Sequence, residues 1–101
     1  HDGVAALTAS LAADYPFLSA AGAARLVRTY GTEARQLLGT ARAAADLGRD
    51  FGATLTEAEV RWQMTREFAR TPQDVLWRRT KLGLRLKPAE VAALAEFMEA
   101  T

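Results

Sequence analysis

Four carboxylates and one arginine pair invite a chemical reading in this 101-residue chain: Glu57 and Glu59, Glu67 and Asp74, and Arg78 beside Arg79. Two carboxylates can divide acid and base work, and neighbouring guanidiniums can grip a phosphate or carboxylate in bidentate fashion. Each has a structural explanation of its own. Thr56-Glu57-Ala58-Glu59 is a capping box, in which the Thr hydroxyl and the Glu59 carboxylate each satisfy a free backbone N–H of a first helical turn. Asp74 and Arg78 stand four apart in the favourable order for an intrahelical ion pair, with Glu67 just across a bend, so this group reads as a salt-bridged corner. Anion binding by Arg78 and Arg79 stays open as the alternative. There is no Cys, and His1, the sole His, sits at a chain end, so metal-ligand sets and Ser-His-Asp or Cys-His pairs lack their members. The glycines at 3, 22, 31, 39, 48, 52 and 83 never fall into a GxGxxG or P-loop spacing. The residues therefore assign no catalytic, cofactor-binding or metal-ligating position.

The elements that carry these groups read as helices throughout. Helix one fits Asp2 to about Asp14, capped by Asp2, with Val4, Leu7 and Leu11 on one face, and Tyr15-Pro16 stops it. Ser19 caps a second, bearing Leu26, Val27 and Tyr30 and ending at Gly31. Thr32 caps a third, with Leu37, Leu38 and Ala41 as its apolar stripe, and the stretch from Leu47 to Gly52 reads as loop. A fourth runs from Glu57 to Arg70, with Leu55 and Val60 at the positions of a hydrophobic staple. Thr71-Pro72-Gln73-Asp74 opens a fifth, capped by Thr71 and Asp74 with proline at its first position, and Gly83 ends it. Lys87-Pro88-Ala89-Glu90 opens the last, with Val91, Leu94, Ala95 and Met98. The expectation is one all-α domain, residues 1–101, of about six helices.

The fourth helix is apolar around much of its circumference: Val60, Met64 and Phe68 line one side, and Ala58, Trp62, Thr65 and Ala69 lie almost opposite. Arg61 then falls inside the arc, tied to Glu57 one turn earlier. Trp77 falls off the Val75–Leu76–Leu82 stripe of the fifth helix. Both tryptophans need a cover. In a stand-alone domain they fill the core; in a piece of something larger they meet the rest of it. Trp62, Trp77, Arg78 and Arg79 are accordingly the candidate interdomain contacts.

Charge is uneven although the net value is +1. Residues 61–87 hold eight basic and two acidic side chains, 8 − 2 = +6, which leaves −5 for the remainder. A basic face usually answers an acidic face of the same fold or a neighbouring domain; a nucleic-acid partner is the alternative. The corner sequence TPQD lacks the glycine of a recognition turn, and the tryptophans sit on helices rather than on a stacking platform, which speaks against nucleic acid. No apolar run approaches the roughly 20 residues of a membrane span. A soluble, cytoplasmic chain is expected.

The stretch TEAEVRWQMTREFARTPQDVLWRRTKLGL resembles the signature segment of the C-terminal helical domain of aerobic, FAD-dependent glycerol-3-phosphate dehydrogenases. The shared motifs are Glu67-Phe68-Ala69, Thr71, Asp74-Val75-Leu76 and Arg78-Arg79-Thr80; upstream, Tyr15-Pro16, Arg25-Leu26 and Tyr30-Gly31-Thr32 are similar as well. The resemblance spans residues 14–84, in the family's order. It implies a parent enzyme that oxidises glycerol 3-phosphate to dihydroxyacetone phosphate, reduces FAD and passes electrons to quinone, as a peripheral protein on the cytoplasmic face of the inner membrane. The parent's flavin-binding domain is then the implied partner, with a subunit contact as a second role. No FAD contact or catalytic residue is carried onto this chain.

Overall fold

The computed structural model describes residues 2–101, with the side chains of Asp2, Arg78 and Arg79 outside the description. Helix accounts for 66% of the chain and strand for 5%, so the all-α class holds. The helix count does not. Among the described residues, five α-helices, two 3-10 turns, a π-helical turn and a two-stranded hairpin stand in place of the six helices expected. The chain divides into two units, one ending at Leu47 and the other running from Gly48 to Thr101.

In the first unit α1 spans Asp2–Asp14 and α2 spans Ala20–Tyr30. Of the α1 face, only Leu11 is buried, and Val4 is exposed. Ser19 caps α2 as its position predicts, its hydroxyl accepting from the Gly22 N–H at 3.0 Å. Gly31 follows at φ +59°, a left-handed value that glycine adopts without cost. Thr32 does not cap the third helix. It lies inside a 3-10 turn, Gly31–Glu33, which leads straight into a short α3, Ala34–Leu38. Leu26, Val27, Tyr30, Leu37 and Leu38 are buried in this unit. The Tyr15 hydroxyl donates to the Gly39 carbonyl at 2.6 Å, and Arg35 pairs with Asp14 at 2.5 Å.

The second unit opens with a hairpin that periodicity did not reveal. Strand β1, Asp50–Gly52, pairs antiparallel with β2, Leu55–Thr56. The turn residues Ala53 and Thr54 have φ of 52° and 68°, the sign a tight hairpin turn requires. With only Phe51 and Leu55 facing inward, the strands are too short to display alternation. Helix α4 spans Glu57–Arg66 rather than reaching Arg70. The N–H groups of Glu67 and Ala69 both donate to the Gln63 carbonyl at 3.0 Å, and Phe68 between them turns left-handed, at φ +60°. That closure ends the helix.

Beyond the corner, the expected fifth helix is a π-helical turn, Asp74–Arg79. The Thr80 hydroxyl donates to the Val75 carbonyl at 2.6 Å, standing in for a backbone donor. Lys81 is left-handed at φ +56°, and the Gly83 N–H returns to the Leu76 carbonyl at 3.2 Å. Helix α5, Pro88–Ala100, starts where expected, and the Glu90 carboxylate accepts from the Lys87 N–H at 2.7 Å. Leu55, Val60, Val75, Leu76, Leu82, Leu94 and Met98 form this unit's core. Leu55 and Val60 are both fully buried, as a staple requires.

Candidate interdomain surface

The Thr71 corner is the best-defined polar cluster of the second unit. One Asp74 carboxylate oxygen accepts from the N–H groups of Arg70 at 2.9 Å and Thr71 at 3.2 Å. The Thr71 hydroxyl accepts from the Asp74 N–H at 3.3 Å, so the exchange is reciprocal. The cap thus uses the Asp74 carboxylate on the backbone. The Arg78 side chain, its expected partner, lies outside the described residues, as does that of Arg79. Glu67 is half-buried beside the corner.

The other expected box does not form. Thr56 occupies the N-cap position of α4, in extended conformation as the last residue of β2, but its side chain makes no cap hydrogen bond. The Glu57 N–H donates to the Arg49 carbonyl at 3.0 Å, so the chain just before β1 supplies the acceptor for the first N–H of the helix. Glu59 is buried at 1% exposure, with Gln63 one turn later at the same value. Spacing could not separate this buried polar pair from a solvated capping residue, because a Glu three residues after a Thr fits both.

The tryptophans differ. Trp62 is half-buried, with the Arg66 guanidinium 4.5 Å from its ring centroid. An (i, i+4) cation–π contact therefore supplies part of its cover. Trp77 is 50% exposed, and one edge of its indole lies so close to Gly83 that any Cβ there would overlap it. Phe68 and Leu84, at 72% and 88%, are more exposed still. Phe68 was expected on the inner face of the fourth helix. The helix ends before reaching it, and the left-handed turn swings the ring out of line with Val60 and Met64. A Glu-Phe-Ala stretch within an apolar period gave no warning of that ending.

A shallow groove is lined by Ala89, Ala92, Ala93, Glu96 and Phe97 of α5 together with Arg49, Phe51 and Glu57. Phe51 and Phe97 pack at 5.4 Å between centroids, and the Arg61 guanidinium stands 5.4 Å from the Phe97 ring. Arg61 also pairs loosely with Glu57 at 3.8 Å, the partner expected for it. Among the described residues, no three His, Cys, Asp or Glu side chains gather to hold a metal ion, and no helix is long and apolar enough to cross a membrane.

A FAD pyrophosphate needs open backbone N–H groups at a strand-to-helix turn. The hairpin's passage from Thr56 into α4 places Glu57 and Glu59 in the first helical turn, where carboxylates repel a phosphate. This helix start does not fit a pyrophosphate.

Phe68, Trp77, Arg66 and Arg70 are among the exposed side chains that these elements bring to the surface. The model for the C-terminal domain of alpha-glycerophosphate oxidase matches residues 1–101, and the chain belongs to that family. It is 41% identical over 96 residues to the glycerol-3-phosphate dehydrogenase of Pseudomonas aeruginosa, covering 95% of this chain and 19% of that protein. It is 39% identical over 84 residues to the aerobic glycerol-3-phosphate dehydrogenase of Escherichia coli, covering 83% and 17%. The D-erythritol 1-phosphate dehydrogenase of Brucella abortus is 39% identical over 85 residues, covering 84% and 17%. The chain spans less than a fifth of the length of these relatives.

Proposed function

We propose that this chain is the non-catalytic C-terminal domain of a flavoenzyme that oxidises a polyol monophosphate, with glycerol 3-phosphate as first choice. The observation that carries the reading is the match of the whole chain to the C-terminal domain of alpha-glycerophosphate oxidase. The parent enzyme holds FAD in a separate domain, oxidises the secondary alcohol to a ketone and delivers the electrons to quinone from the cytoplasmic face of the inner membrane. This chain packs on the flavin domain. Trp77, half in water, and the arginine-rich stretch from Arg61 to Lys87 support that role, because an apolar ring among charges is usual at a partner surface. A subunit contact in the parent is a further possible use of the same domain.

Two preparations test the reading. The complete reading frame should purify with stoichiometric FAD and reduce a quinone analogue with glycerol 3-phosphate. The 101-residue chain alone should show no flavin absorbance and no turnover. A yellow complex of the short chain with FAD would overturn the non-catalytic assignment. A reading frame without a flavin-binding half would point instead to an independent helical binding module for protein or nucleic acid.

A further inference from the structure

Phe68 meets two unfavourable conditions at once. Its backbone is left-handed at φ +60°, and 72% of its surface is in water. A helix that ends on a left-handed residue ordinarily places Gly or Asn there, because a Cβ is crowded in that conformation. A large side chain in this position normally recovers the strain by burial, and here the ring is not buried within the chain. Glycine would serve the local fold better.

The backbone that carries the ring is nevertheless fixed. On either side of it, the N–H groups of Glu67 and Ala69 are fixed on the Gln63 carbonyl, each at 3.0 Å, and Ala69 is buried at 3% exposure. Exposed Arg66 and Arg70 flank it in sequence, within the stretch that carries eight basic and two acidic groups. An aromatic side chain among arginines is the composition of binding hot spots.

We infer that Phe68 is an interdomain anchor whose ring fills an apolar, acid-rimmed socket on the remaining part of the parent polypeptide. This rests on the proposal that the chain belongs to a longer flavoenzyme. The curated relatives are more than five times as long as the segment they share with it, which provides the covering surface. The excess of +6 selects an acidic rim. A second copy of the chain is disfavoured by the same charge, since a two-fold contact centred on Phe68 would oppose one basic stretch to another.

Hydroxyl-radical footprinting with mass-spectrometric readout tests this on the unsubstituted protein. Oxidation of Phe68 is compared between the 101-residue chain and the complete FAD-containing parent. We expect roughly a five-fold or greater loss of oxidation in the parent, as befits a side chain at the buried centre of an interface. Equal oxidation in both, with FAD bound, overturns the anchor and leaves the flavoenzyme reading intact. A parent without FAD overturns the flavoenzyme reading, and the anchor that rests on it falls too. Protection in the short chain that disappears on dilution identifies a second copy as the occupant and also overturns the inference. Phe68→Gly in the parent provides the second measurement. It should hasten proteolytic release of the domain at least several-fold if the socket is filled; unchanged release counts against the anchor.

Discussion

Asp74 satisfies the Arg70 and Thr71 N–H groups with one carboxylate oxygen while its own N–H rests on the Thr71 hydroxyl. Removing the carboxylate leaves two donors at a helical entrance without their acceptor. Asp74→Ala should therefore lower stability by about 1–2 kcal/mol, read as a lower urea midpoint at unchanged slope. A midpoint equal to wild type would mean that solvent replaces the cap without loss. Thr56→Ala is the control, since its hydroxyl caps nothing; the expected change is within about 0.5 kcal/mol. The Thr71 corner was legible because Thr, Pro and Asp fall at the right offsets. Thr56 carried the same signature, but it is also the last residue of β2, and local spacing does not register the strand pairing that holds it there.

Element boundaries follow from competing closures. The sequence period continues through Phe68, yet the helix ends at Arg66 because the Gln63 carbonyl draws two later N–H groups onto itself. Phe68→Gly relieves the left-handed strain and should raise the stability of the 101-residue chain by about 1 kcal/mol. Loss of stability on that substitution would show that the ring already packs within the chain. The turn Asp74–Arg79 is another such case: a π turn and an α turn present the same Val75-Leu76 pair, and what differs is the backbone register, which no residue type specifies. Long helices with proline or serine at their starts, α2 and α5, were readable for the opposite reason. Their caps and apolar periods agree.

At the scale of the chain, the two indoles report on different surroundings. With Trp62 shielded by Arg66 and Trp77 half in water, acrylamide should quench Trp62→Phe protein, whose remaining indole is Trp77, more strongly than Trp77→Phe protein. Equal quenching of the two variants would contradict the difference in exposure. In a complete parent enzyme, Trp77 should lose its accessibility if this surface is the docking face. The class of fold and the family were both legible, the first from the density of helix punctuation and the second from motifs in order. That Phe68 faces outward was not. That depends on where the helix stops, and one reversed φ angle takes Phe68 out of the line of Val60 and Met64.

The contact between Trp77 and Gly83 also sets a rule for how this sequence can drift. A side chain at position 83 meets the indole at 77 first, because the three atoms nearest to a Cβ there all belong to that ring. Glycine there is conditionally constrained, so the order in which substitutions arrive decides which survive. Gly83→Ala should be costly in the wild-type background and close to neutral once Trp77 has become Ala. A double-mutant cycle would then show a coupling energy of about 1–2 kcal/mol, and strict additivity would mean that the indole swings away freely. A lineage that gives up the tryptophan first gains freedom at a site six residues on; one that changes the glycine first meets a barrier.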